Sequence, residues 1–471
     1  MSKAPASPAA QRTQIASVIA ALFAVCSPVT ATAATWIVDS CAEGNSGDLA
    51  SKTGTLRFAA ANALSGDTID MTTLACSTIT LKTGAIGLIQ NSLTILGPGP
   101  TNLIISGKYN GSSTDRIFRH VGTGTLYLSG MSIKYGLAND AAPVGAAGGC
   151  VVSKGNVTLN HVYMGGCSAV SAASDASGGA IASYGEVTVK SSVLAGNTAQ
   201  GLLAARGGAV FALSPFSARY STIEANRADG NHYSSGGGIH AYGLSLRHST
   251  IANNYSAGTG GGIVSFPSGG PTTAYLASST ISGNSAAGLV GGIAVAATSF
   301  RMYNSTIAFN TAGGGHSDPP TPHFYAPGLA FATPDAPMSA TIESSLLSNN
   351  TYGSIEVDLS ADGINPVTFN AGPAHNLIRT HFGSGLPGDT IFGFCPFLGP
   401  LRDNGGPTQT HQVFSNSIAI DTGSNSNGEP FDQRGLGYIR MSNGIADIGA
   451  YEVDQADIVF NTGFESCPDI F

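Results

Sequence analysis

Lys190, Arg219 and Arg247 stand 29 and 28 residues apart, and His161, Tyr220 and His248 each follow the equivalent position in their own stretch of chain. If the chain returns to one place at that interval, the three cations form a row with imidazoles and a phenol beside it. Such a row would hold a linear polyanion such as an acidic glycan. The alternative is three solvated charges balanced by Glu186 and Glu224. A second concentration of reactive types lies near the C-terminus, where Asp421, Asp432, Arg434, Asp447 and Glu452 gather among glycines. An arginine amid carboxylates more often fixes a fold through paired hydrogen bonds than moves protons, so a structural role is expected there. Calcium is another use for such acids, but no EF-hand-like spacing accompanies them. No CxxC or HxxxH spacing suits zinc, so no metal or other cofactor is expected and no catalytic residue is assigned.

The interval itself comes from a repeat. Counting from an apolar position p, the rule is apolar at p and p+2, serine or apolar at p+5, apolar at p+7 and Asn at p+10. It fits from Leu126, Val157, Val187, Phe216, Leu244, Ala274, Phe300 and Ala340. The last six copies end on Asn197, Asn226, Asn254, Asn284, Asn310 and Asn350, whereas the first two end on Gly136 and Cys167. Steps p to p+2 and p+5 to p+7 have the strand period, but p+2 to p+5 is odd. A straight strand would throw the second pair onto the wrong face, so the chain must turn a corner between them, at Arg247-His248 in the fifth copy. A third short strand precedes, marked by glycine pairs such as Gly207-Gly208 and Gly236-Gly237. One such coil cannot bury its own inner face, but coils stacked ~4.8 Å apart can, and they pair every backbone group along the stack. The p+10 asparagines then fall at one corner, where their amides can form a ladder. Side chains at position p+7, Ile251 and Ile281 among them, are expected inside; Thr250 and Thr280 are expected outside and tolerant of substitution.

Composition agrees. The 471 residues include 63 Gly and only 10% are charged, against roughly 25% in ordinary domains. Residues 1–33 read as a secretory signal peptide: Lys3 and Arg12, an apolar run from Ile15 to Val25, and Ala31-Thr32-Ala33 before cleavage. Removing them leaves 18 basic against 28 acidic residues, a net charge of 18 − 28 = −10, which argues against nucleic acid as a partner. No later segment offers eighteen unbroken apolar residues, so no transmembrane segment is expected in the mature chain. Six cysteines remain, and an even count in an exported chain favours disulfides. Their sequence-local couples predict Cys41–Cys76, Cys150–Cys167 and Cys395–Cys467.

Motifs at both ends carry resemblances. TGTLRFAAANALSGDTIDM (53–71) places Leu56, Phe58, Ala59 and Ala63 on a short amphipathic helix and resembles the CSLREA domain that opens exported bacterial β-helix proteins. LGPLRDNGGPTQTHQV (398–413), SIAIDTGS (417–424), DQRG (432–435) and DIGAYE (447–452) together resemble the choice-of-anchor Q domain, which follows such helices. The glycine-pair and SxIxxN phrases are similar to repeats of polymorphic outer-membrane proteins, a resemblance that implies surface exposure and adhesion. Those proteins close with a membrane β-barrel, for which nothing after residue 452 has the length.

The expected fold is therefore all-β: a right-handed, single-stranded parallel β-helix of the pectin-lyase-like kind, with three short strands per coil and a cap at each end. Residues 34–100 would hold the N-terminal cap and first coils, 101–360 the repeats, 361–452 the C-terminal domain and 453–471 a tail. The expected function is an exported, cell-surface or outer-membrane-associated binding surface, adhesin-like or structural, with an extracellular polysaccharide as partner. The alternative is a polysaccharide lyase or glycoside hydrolase on the same fold, but fold alone is a weak warrant and the repeats are almost free of acid.

Overall fold

The structure, a computed structural model, describes residues 32–454 apart from 110–111, 114, 140–144, 268–269, 315–325, 334–336, 363–364 and 371. The tail from 455, and all but the last two residues of the expected signal peptide, lie outside the described residues.

The coil containing Leu244 shows how the sequence sets the path. Ile239–Ala241 is the glycine-marked strand, and Leu244–Arg247 follows with alternating burial. The chain then turns at His248, whose φ of 48° is left-handed; His161, Tyr220 and Asn304 take the same conformation at the same corner of other coils. Non-glycine residues rarely hold such a φ, so its recurrence marks a corner fixed by the fold. Thr250–Ala252 runs on from the corner, and Asn253 (φ 55°) makes the next turn before Asn254. Beyond that asparagine the structure adds a further short strand that the repeat rule missed: Thr198–Gly201, Arg227–Gly230 and Tyr255–Ser256 pair in parallel down the stack. The signal was weak because the buried residues there are small, such as Ala199, Gly201 and Ala228.

Stacking is parallel and in register along the coils. The glycine-marked strands lie side by side in one eleven-stranded sheet. At position p+7, Leu194, Ile223, Ile251, Ile281, Ile307 and Leu347 pair coil to coil and are wholly buried. This is a parallel β-helix. Its ladder starts at Thr35–Ser40 and continues past residue 360 to Ile391–Phe392, which pairs with Leu377–Ile378. Glycine is needed where the chain approaches itself. Gly207 has a φ of 66°, and a Cβ there would overlap the Val210 carbonyl.

The corner asparagines form the expected ladder. From Asn197 to Asn310, each Nδ2 donates to the Oδ1 of the asparagine in the next coil at 2.8–2.9 Å. Each of those oxygens also accepts the backbone N–H of the asparagine before it, as at Asn226 to Asn254 (3.0 Å). A row of wholly buried amides thereby satisfies its own hydrogen-bonding groups. The ladder ends on a carboxylate. Asn350 Nδ2 donates to Asp358 Oδ1 at 2.7 Å, and burial with Glu356 close by pushes Asp358 up to about 7, although Thr380 also donates to it.

At the N-terminal end, the helix Leu56–Asn62 starts at Thr55, whose Oγ1 accepts from Phe58 N at 3.2 Å. A threonine there occupies one of the amides that the first turn leaves without a partner. The buried face of the helix covers the first coils with Leu56, Phe58 and Ala59; Gln90 Nε2 closes its other end on the carbonyls of Ala60 and Ala63, both at 2.8 Å. The Cys41–Cys76 and Cys150–Cys167 disulfides are present, with Cα atoms 6.3 and 5.4 Å apart, and the second ties the glycine-marked strand to the asparagine corner. Cys395 is disulfide-bonded, while Cys467, its expected partner, lies outside the described residues.

Candidate functional site

Lys190, Arg219 and Arg247 occupy one register position in three successive coils, below Asn160. Lys190 and Arg219 are exposed. The Arg219 guanidinium lies 5.0 Å from the Tyr220 ring. Beside the row, His161 is exposed, while Tyr220 and His248 stack with ring centres 4.8 Å apart.

The row is not bare along its length, because residues 398–453 fold back and pack on the flank of the helix. Arg247 Nη1 donates to Glu429 Oε1 at 2.8 Å. His248 is buried, with Nδ1 2.9 Å from the Asp432 carbonyl and Nε2 3.5 Å from Glu429 Oε2. The hydrogen bond from His248 and the nearby arginines hold Glu429 below the usual carboxylate range. His248 thus serves internal docking, which corrects the reading of it as solvent-facing, whereas Arg247 is paired to the docked segment with its side chain still 43% exposed. Glu429, outside every repeat and every motif quoted above, gave no signal.

The same docking overturns the expectation for the outward threonines. Thr250 Oγ1 donates to the Gln409 carbonyl at 2.6 Å and Thr280 Oγ1 to Gln433 Oε1 at 2.6 Å, and both threonines are wholly buried. Gln433 Nε2 returns a bond to Thr250 Oγ1 at 2.8 Å. Further along, Ala450 N donates to Thr306 Oγ1 (3.0 Å) and Asn304 Nδ2 to the Ser424 carbonyl (2.8 Å). Ala308, Leu346 and Leu377 supply apolar ground for Leu398, Val413, Ile448 and Tyr451.

Inside the docked segment, Asp432, Asp447 and Glu452 form a buried frame with two arginines, while Asp421 stands exposed and contributes its backbone N–H. Arg434 donates through Nε (2.9 Å) and Nη2 (2.7 Å) to Asp432 Oδ2, with its guanidinium 4.0 and 3.8 Å from the rings of Tyr438 and Tyr451. Asp432 also accepts Glu452 N at 2.8 Å, Asp447 accepts Asp421 N (2.8 Å) and Val453 N (2.6 Å), and Glu452 accepts Ser442 N and Asp447 N. Arg440, fully buried and unforeseen, bonds the carbonyls of Gly449 and Ala450 and lies 3.8 Å from Glu452. These oxygens are spent on backbone N–H groups and guanidiniums, so the cluster holds the fold, as its arginine suggested. Among the described residues no three His, Cys, Asp or Glu side chains are placed to share a metal ion.

At the seam between segment and helix runs a groove of about 640 Å³ bordered by Glu224, Asn253, Phe309 and Leu401. His411 lies at its base, but Nε2 meets Ser282 Oγ at 2.8 Å and Nδ1 meets the Gly399 carbonyl at 2.6 Å. Burial pushes His411 down to about 4. It therefore stays neutral with both nitrogens engaged and has no lone pair to offer a substrate.

No family model, no curated protein and no solved structure matches this chain.

The buried groups imply a particular pH dependence. Burial and Asp447 raise Glu452 to about 8, and Asp358 sits at about 7, so the native state keeps protons that the unfolded chain loses near 4.5 and 3.8. Their contribution falls as pH rises through that range. His240 and His411, pushed down to about 3 and 4 by burial, act oppositely, since the unfolded chain takes up protons below 6.5. The two effects offset one another from about pH 4.5 to 6.5, and only the acids act above that. Unfolding followed by intrinsic fluorescence should therefore show a plateau near pH 6 and a loss of ~2–3 kcal/mol between about pH 6.5 and 8. A gain in stability across that upper interval would overturn the assignment.

Proposed function

We propose that the protein is an exported, non-catalytic β-helix that acts outside the cell as an adhesin-like or structural binding surface, with a long acidic polysaccharide laid along the stack at Lys190 and Arg219. The observation that carries this reading is the register of those two cations, exposed in adjacent coils and beyond ion-pair distance of any carboxylate among the described residues, with Arg219 acting on Glu429 only from further off. Cations ~5 Å apart along the stack repel one another through screened solvent, and a polyanion would turn that repulsion into attraction. Arg247 is committed to Glu429 and closes the row at one end. Support for export comes from residues 1–33 and from the disulfides, which persist in oxidising compartments. The flank-docked segment, with its resemblance to the choice-of-anchor Q domain, would then belong to surface attachment.

An array of long acidic polysaccharides, read for binding and for released product, tests this. Binding should weaken steeply as salt rises from low to well above physiological strength, and affinity should fall markedly in Lys190→Ser/Arg219→Ser with thermal unfolding unchanged. Binding at the parent's affinity in that variant would remove the row, and released product would favour the lyase or hydrolase alternative.

A further inference from the structure

A different face of the helix carries a groove that the repeat pattern did not signal. The outward middle residue of the glycine-marked strand reads Arg119, Val152, Ala182 and Phe211 in four adjacent coils, in direct register. A solvated strand face would alternate polar residues here, but three of the four are apolar. Above this floor stands a wall of three short parallel strands, Ala146–Ala147, Ala176–Ser177 and Ala205–Arg206. On the other side project Tyr184, 63% exposed, and Leu213. The groove between them encloses about 330 Å³. Its floor runs over three coil steps, roughly 14 Å along the stack.

Its charge is lopsided. Arg206 pairs with Asp175 at 2.8 Å on the rim, and Arg116, buried behind, lies 3.9 Å from Asp115 and donates to the Ala147 carbonyl at 3.3 Å. Arg119 faces the groove exposed, with no ion-pair partner among the described residues. We propose that this groove binds a uronate unit of an acidic glycan, its carboxylate on the Arg119 guanidinium and its ring stacked on Tyr184, at a site separate from the Lys190–Arg219 row. A guanidinium fork matches a planar carboxylate in two parallel hydrogen bonds. The apolar floor and the aromatic ring suit the C–H face of a sugar and give nothing to a phosphate. Asp175 and Ser177 offer acceptors for hydroxyls. An extended acidic peptide fits less well: the floor's backbone groups are used in the parallel ladder, so no free edge remains for strand addition.

The test uses the purified protein in titration calorimetry with tetramers of galacturonate, glucuronate and mannuronate, each compared with its fully methyl-esterified form. One acidic tetramer should bind at least about ten-fold tighter than its ester, the effect expected of a charged hydrogen bond. Arg119→Gln should bring the acid down to the affinity of the ester, Tyr184→Ala should weaken both, and Lys190→Ser/Arg219→Ser should change neither. Both groove side chains are exposed, so thermal unfolding of their variants should match that of the parent. The proposal falls if none of the acidic tetramers binds, if ester and acid bind alike, or if affinity responds only to the Lys190 and Arg219 pair. That last outcome would leave the row standing, whereas loss in Arg119→Gln alone would leave the groove standing without it.

Discussion

Ile251→Asp is expected to abolish folding. Ile251 is wholly buried between Ile223 and Ile281 in the stack formed at position p+7. The substitution removes a side chain whose burial is worth ~2–3 kcal/mol and puts a carboxylate where no donor is placed to receive it. Burying an unpaired charge costs several kcal/mol more, even if the group protonates. Together these reach the lower part of the ~5–15 kcal/mol that stabilises a typical domain. Ile281→Asp should behave alike, while Lys190→Asp, on the outer face, should leave the chain folded. Soluble yield and far-ultraviolet circular dichroism distinguish them, and a folded Ile251→Asp protein would overturn the register.

Asp432→Ala is expected to release the C-terminal segment while sparing the helix. Asp432 is fully buried and receives two bonds from the Arg434 side chain and one from Glu452 N. Its removal takes away the carboxylate that neutralises the Arg434 guanidinium between Tyr438 and Tyr451. Breaking such a buried pair from one side costs ~3–5 kcal/mol. Little regular structure within residues 398–453 could absorb that loss, since the segment's one strand pair is the antiparallel Leu398–Arg402 and Thr410–Val413. Limited proteolysis should then cut within 398–453 while the coils resist; equal resistance in variant and parent would count against the frame.

The helix was legible because its rule is local. An odd step between two period-two pairs dictates a corner, and buried amides at a fixed offset dictate a ladder. Both statements concern residues close in sequence, and Ile251, His248 and Asn254 lie where they require. The flank docking was not legible because its hydrogen bonds join residues from 80 to 184 apart with no repeating partner, among them Ser344 to Ser424, Thr250 to Gln409, Thr280 to Gln433, Arg247 to Glu429 and His248 to Asp432. One clue was present. The outward position of that strand reads Thr222, Thr250, Thr280, Thr306 and Leu346, without a charge in five coils. A water-facing column would be expected to carry some, so its neutrality marks a covered surface. For the candidate site the sequence placed the row in register but could not see that one end is occupied. The Arg119 groove was hidden because its second wall comes from residues outside the repeat rule.

The docked segment also changes how the molecule should come apart. A stack of coils in which each touches only its neighbours behaves as a one-dimensional chain, free to melt from either end. Here one covering segment bonds to Arg247, Thr280, Asn304 and Ser344, residues of four consecutive coils. None of those coils can open without breaking the cover, so they are tied into one cooperative block, whereas the coils before Tyr220 keep nearest-neighbour restraint and the Cys41–Cys76 and Cys150–Cys167 bonds. Amide hydrogen exchange should divide the helix accordingly, with uniform slow exchange in the strands from Leu244–Arg247 to Leu346–Ser348 and a graded profile toward the N-terminal end.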